Sequence, residues 1–184
     1  SPYYWTNMEL LDWIRFFLGA SMLCYGSWTD LMTRRVPNQV WLVSGSLASL
    51  LLIYEMSAEE WDYHIWALIF ATIVLFYNAF VDEYVLDANQ VMVWQATQIL
   101  AIVSAIYFFI KVDSEEVSYD NYKLLDVLAI SVLMILMYVW FYFGPTIGGA
   151  DVKAIMTIGL VVPFTFSIRD NPMMAFDTRG FPYP

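Results

Sequence analysis

The sequence predicts an all-α fold, a bundle of six transmembrane helices, and three observations carry that reading. Of the 184 residues, 60% are hydrophobic and 14% charged, against roughly 45–50% and about 25% in ordinary soluble domains. The apolar residues fall into six blocks, 13–29, 39–54, 65–81, 91–110, 124–143 and 152–168, each 16 to 20 residues long with at most one or two charges. None of them alternates with period two, which excludes a closed barrel and leaves helices to satisfy the backbone in lipid. A hydrocarbon core of about 30 Å takes roughly 20 helical residues, and somewhat fewer when the ends snorkel.

The elements follow in order. The block at 13–29 lies close to the first residue but has no basic leader and no small-residue cleavage site followed by a soluble domain, so it reads as a retained helix. Ser1 is expected to be a processed or engineered end. The five connections, 30–38, 55–64, 82–90, 111–123 and 144–151, are short and polar, and the tail 169–184, with Pro172, Gly180, Pro182 and Pro184, reads as irregular surface chain. No linker, repeat or low-complexity tract interrupts them. Residues 1–184 are therefore expected to form a single membrane-embedded domain. Trp41, Trp61, Trp66 and Trp140, near block ends, fit interfacial aromatic belts. His64 reads as an interfacial residue, Asn78, Gln95 and Gln98 as interhelical hydrogen-bonding groups, and Met134, Met137 and Met156 as core filler.

Composition removes several functions. One cysteine, Cys24, and one histidine, His64, make neither a disulfide nor a Cys/His zinc site. A net charge of −10 leaves no basic stripe for phosphates, so no nucleic-acid partner is expected. No glycine-rich phosphate loop is present. The sequence accordingly calls for no metal and no cofactor, and it leaves the oligomeric state open.

With six spans, the end of helix 1, the connection between helices 3 and 4, and the start of helix 6 share one membrane face. That face carries Arg34, Arg35 and Lys153 together with Asp30, Asp82, Glu83, Asp87 and Asp151. The Arg34-Arg35 pair in the tight first loop assigns it to the cytoplasm.

Ionisable groups at or inside spans are costly and usually functional. Asp30 closes the first block and Asp151 opens the last, in Gly148-Gly149-Ala150-Asp151-Val152-Lys153. Parity places both carboxylates at one face and similar depth. Taken singly, Asp151 is explained as a helix N-cap and Asp30 as half of a salt bridge to Arg34 one turn on. Taken together, they form a candidate dyad, in which two nearby carboxylates share a proton and act as general acid and base on a water. The helix-end dipoles favour Asp151 as base and Asp30 as acid, within a pair that titrates jointly. Gly148 and Gly149 provide backbone freedom for an extended peptide to approach; a simple turn before the helix explains them as well.

These residues resemble a known family. An Asp followed by a basic loop and Pro-Asn, here Asp30 to Pro37-Asn38, resembles the first signature of type IV prepilin peptidases and archaeal preflagellin peptidases. The second signature of these GxGD-type intramembrane aspartyl proteases is similar to Gly148-Gly149-Ala150-Asp151-Val152-Lys153, with Pro163 further on. Ala150 stands where the motif has its last Gly, and four helices separate the aspartates. The zinc-binding cysteines of bacterial members have no counterpart. The resemblance implies catalysis by Asp30 and Asp151, with Pro37, Asn38, Gly148, Gly149, Ala150 and Lys153 binding substrate or supporting the motifs. It also implies a multi-pass cell-membrane enzyme whose active site lies at the cytoplasmic boundary. Its partners would be membrane lipid and precursor archaellins or pilins with a basic leader and a hydrophobic N-terminal helix. The same two aspartates also admit a proton- or cation-coupled transporter, and a non-catalytic scaffold is a third reading.

Overall fold

The computed structural model describes residues 2–58, 61–81, 86–114, 122–143 and 149–162. Among them all regular structure is helical: α1 Pro2–Thr33, α2 Asn38–Ala58, α3 Tyr63–Asn78, α4 Ala88–Ser114, α5 Tyr122–Phe143 and α6 Gly149–Val161. Each predicted block lies within or largely overlaps one helix. The helices run beyond several blocks because a helix continues through polar residues that hydropathy leaves out. In α1, 32 residues reach about 48 Å.

Among the described residues, length and composition identify two of the six expected spans. Asn38–Ala58 and Ala88–Lys111 are long and apolar enough to cross a membrane; Tyr63–Asn78 is a shorter apolar helix, and Val127–Phe143 is an apolar stretch of the 22-residue α5. Arg15, Ser21, Ser27 and Asp30 dilute α1. As described, α6 has 13 residues and reaches only about 20 Å. The remainder of the sixth block and the tail, 163–184, lie outside the described residues.

Local chemistry sets the helix ends. Arg34, at φ 53°, turns the chain out of α1, and its N–H donates to Asp30 O at 2.7 Å. Asp87 and Gln90 open α4 with a reciprocal capping box: Gln90 N–H donates to Asp87 Oδ1 at 2.8 Å and Asp87 N–H to Gln90 Oε1 at 3.2 Å. Asp87 thus has a structural task in its loop.

Named contacts give the topology. The Arg15–Glu55 ion pair and the Gly26–Trp41 contact run α1 and α2 antiparallel. Lys153 meets Asn38 and Thr157 meets Trp41, so α6 runs in the same direction as α2. Helix α5 is antiparallel to α6, through Phe141 against Gly149 and Leu133 against Gly159. On the other side, α3 packs on α4 and α5. There Asn78 joins three helices, its amide donating to Tyr138 Oη and its Oδ1 accepting from Trp94 Nε1 and Gln98 Nε2. Asn78 and Gln98 act as the sequence predicts, while Gln95 is exposed.

Two apolar clusters fill the interior. One joins Ala48, Phe76, Ile130, Met134, Val152, Met156 and Leu160; the other joins Leu52, Met56, Ile65, Leu68, Ile69, Phe108 and Val127. The outward surface is also apolar, with Leu31, Phe143, Ile99 and Ile110 exposed. An extensive apolar exterior of this kind fits a membrane protein. Helices in such surroundings pack through small residues and polar bonds. Gly45 shows this most sharply, since a Cβ there would run into the ring of the fully buried Phe76.

Gly45→Ala should therefore destabilise the bundle by about 1–3 kcal/mol in a detergent unfolding assay, and Phe76→Leu in the same chain should recover part of the loss. Removing one partner of the buried Arg15–Glu55 pair, as in Glu55→Gln, should cost roughly 3–5 kcal/mol, while replacing both with apolar residues of similar size should be far milder in the same assay.

Candidate functional site

Contacts between α2 and α6 establish the geometry around the two aspartates. Lys153 Nζ donates to Asn38 Oδ1 at 3.1 Å, joining residues 115 positions apart. The same ammonium lies 5.0 Å from the centre of the Phe80 ring and 5.7 Å from that of Phe141, so aromatic faces replace part of its water. Thr157 Oγ1 donates to Lys153 O at 2.7 Å and stands 3.5 Å from Trp41 O. Trp41 turns its six-membered ring toward α1, where a Cβ on Gly26 would lie 3.1 Å from Cη2.

This framework puts the candidate carboxylates at one end of the bundle. Asp30 stands four residues beyond Gly26, about 6 Å along α1, and Asp151 six residues before Thr157, about 9 Å along α6. Because α1 and α6 are antiparallel, both displacements run the same way from Trp41. The two aspartates consequently lie at nearly the same height. Both are exposed, and their carboxylates make no hydrogen bond or ion pair with a described residue.

The ordinary explanations of each aspartate can be compared with this arrangement. Asp30 lies in the last turn of α1, and no Asp30–Arg34 salt bridge is formed among the described residues. Asp151 is the third residue of the described α6, inside its first turn, where the helix dipole favours a negative charge. Its side chain makes no capping bond to a described residue.

The other predicted site residues divide. Asn38 and Lys153 are brought together, as are the helix ends that carry them. Pro37, Gly149 and Ala150 are exposed at the same end, and a Cβ on Gly149 would approach Phe141 Cε2 to 3.1 Å. Gly148, Asp82, Glu83 and Pro163 lie outside the described residues. Trp41 departs from the sequence reading. It is 4% exposed and wedged between helices, not a member of an interfacial belt. Hydropathy places a tryptophan near a block end at the interface; only the glycine opposite, Gly26, signals that the ring turns inward. The Arg15–Glu55 pair at the far end also escaped the sequence reading, although an arginine in an apolar block calls for a partner.

The described fold is thus of a class: a helical bundle with an apolar exterior and two exposed carboxylates at one end, joined by helix packing and not by sequence proximity. Residues 17–94 match the model of the type IV leader peptidase family, a match that supports a prepilin peptidase-like protein. The matched stretch contains Asp30, Pro37 and Asn38 and ends at Trp94, before Asp151. No curated protein and no solved structure matches the chain.

Arg34 offers a local test of this corner of the site. Its left-handed conformation is unfavourable for any residue with a Cβ, so Arg34→Gly should raise the unfolding free energy by about 1 kcal/mol, measured by thermal denaturation in detergent.

Proposed function

We propose that the protein is a membrane aspartyl endopeptidase that removes the short basic leader from archaellin or type IV pilin-like precursors at the cytoplasmic membrane boundary. The observation that carries this reading is that the Gly26–Trp41, Lys153–Asn38 and Thr157–Trp41 contacts bring the helix ends bearing Asp30 and Asp151, far apart in sequence, to one end of the bundle. The family match over the first of the two aspartates supports it.

In the proposed reaction, the hydrophobic segment of the precursor approaches laterally and its leader lies at the membrane surface. Asp151 accepts a proton from water as that water attacks the scissile carbonyl, and Asp30 donates a proton to the developing oxyanion. The tetrahedral diol then collapses, with a proton passing to the departing amine. No covalent intermediate is needed. The exposure of both carboxylates leaves them accessible to water and to an extended backbone. Lys153 stays on its aromatic and amide contacts, two residues from Asp151, and serves the framework.

Coexpression with a leader-bearing archaellin or pilin precursor tests the reading. The wild-type chain should convert the precursor to the faster-migrating mature form, while Asp30→Asn and Asp151→Asn should each lower the rate at least about 100-fold at unchanged protein level. Full processing by both variants would exclude the dyad.

A further inference from the structure

Trp41 presents a physical puzzle. Its side chain is buried, yet its indole N–H has no hydrogen-bond partner among the described residues. Phenylalanine would fill much of the same space without burying an unsatisfied donor. What tryptophan adds is breadth, and the added ring is the part that meets Gly26.

The position of that contact gives it leverage. Gly26 is one turn from Asp30 on α1, and Trp41 O faces Thr157 on α6, the helix that carries Asp151. One turn earlier on α2, Asn38 accepts the hydrogen bond from Lys153, two residues beyond Asp151. The first turn of α2 therefore touches both aspartate-bearing helices close to their carboxylates. The glycine on one side and the broad ring on the other fix how near α1 approaches, while Asn38 and Lys153 hold the start of α6.

We propose that the first turn of α2 is a gauge that sets the separation of Asp30 and Asp151, with Trp41 and Asn38 as positioning residues. The proposal rests on the reading that the two carboxylates work as a pair. A water is activated between them only when both lie within hydrogen-bond reach, about 2.6–3.2 Å from it. Small displacements of either helix would then slow the chemical step more than they weaken precursor binding. A misplacement near 1 Å is enough to cost about 100-fold in rate.

Two measurements on the full chain in lipid vesicles test this. In a Cys24→Ser background, Asp30→Cys and Asp151→Cys are introduced together and the rate of linkage by a short bis-maleimide, which adds one thiol to each of its two alkenes, is followed. Trp41→Phe, Trp41→Ala and Asn38→Ala should each change that rate by about fivefold or more, and Gly26→Ala should partly restore the rate in the Trp41→Phe chain. With the aspartates intact, Trp41→Phe should lower kcat for precursor cleavage about tenfold or more while KM stays within about twofold. Should Trp41→Ala fail to fold, Trp41→Phe and Asn38→Ala still decide the matter. Linkage rates that ignore all the α2 substitutions, or a parent pair that does not link, would overturn the gauge. Linkage that follows Trp41 in the cysteine chain, together with no precursor cleavage by the chain that keeps both aspartates, would sustain the gauge and overturn the peptidase reading.

Discussion

The hydrogen bond from Lys153 to Asn38 ties together two parts of the chain that otherwise have little reason to meet, and the candidate site depends on the α2–α6 contact around it. An ammonium group at the edge of an apolar bundle needs partners to replace its water. Here an amide oxygen and two aromatic faces supply them. Because these partners come from α2, the segment after α3, and α5, satisfying one cation orders the start of α6 against three other parts of the bundle. Thr157 and Trp41 continue that contact one turn deeper.

The rest of the interior obeys the same logic. Where the exterior is as apolar as the core, burial alone gives helices little preference among partners, and close fit and polar pairing decide the arrangement. Glycine provides the close fit at Gly19 against Val161, Gly26 against Trp41, Gly45 against Phe76 and Gly159 against Leu133. Polar pairing appears as Arg15 with Glu55, Thr72 with Ser131, Ser46 with Tyr77, and the Asn78 group. Arg15–Glu55 sits far from the aspartates along α1, so the α1–α2 contact is pinned at both ends, by charge at one and by a tryptophan on a glycine at the other.

Against this ordered framework the side chains of Asp30 and Asp151 have no partners among the described residues, as is also true of Asp62. A structural carboxylate in an apolar chain is ordinarily engaged, as Glu55 and Asp87 are. Asp30 and Asp151 instead sit exposed at helix ends whose positions are closely determined. Rigid support beneath unengaged groups is what the proposed water-activating site requires.

The helical class and the approximate place of each helix were legible in the sequence, because apolar block length and the lack of period-two alternation are local properties. Alternating direction followed from the short connections. Asp30, Asp151, Asn38 and Lys153 could be singled out as candidates because a polar residue at an apolar boundary, or within a short motif, is visible in one dimension. Helix ends were less so: the chain stays helical through Leu31 and Thr33 and breaks at Arg34, whose left-handed backbone no composition reveals. Which face of a helix turns inward was not legible either. Trp41 reads as a membrane-interface residue until Gly26 is found opposite it, and Arg15 reads as a stray charge until Glu55 reaches it. Sequence by itself determined the kinds of helices and the chemical groups they carry; tertiary structure alone decided which faces meet, because rotation and separation of helices depend on pairwise fit between residues far apart in the chain.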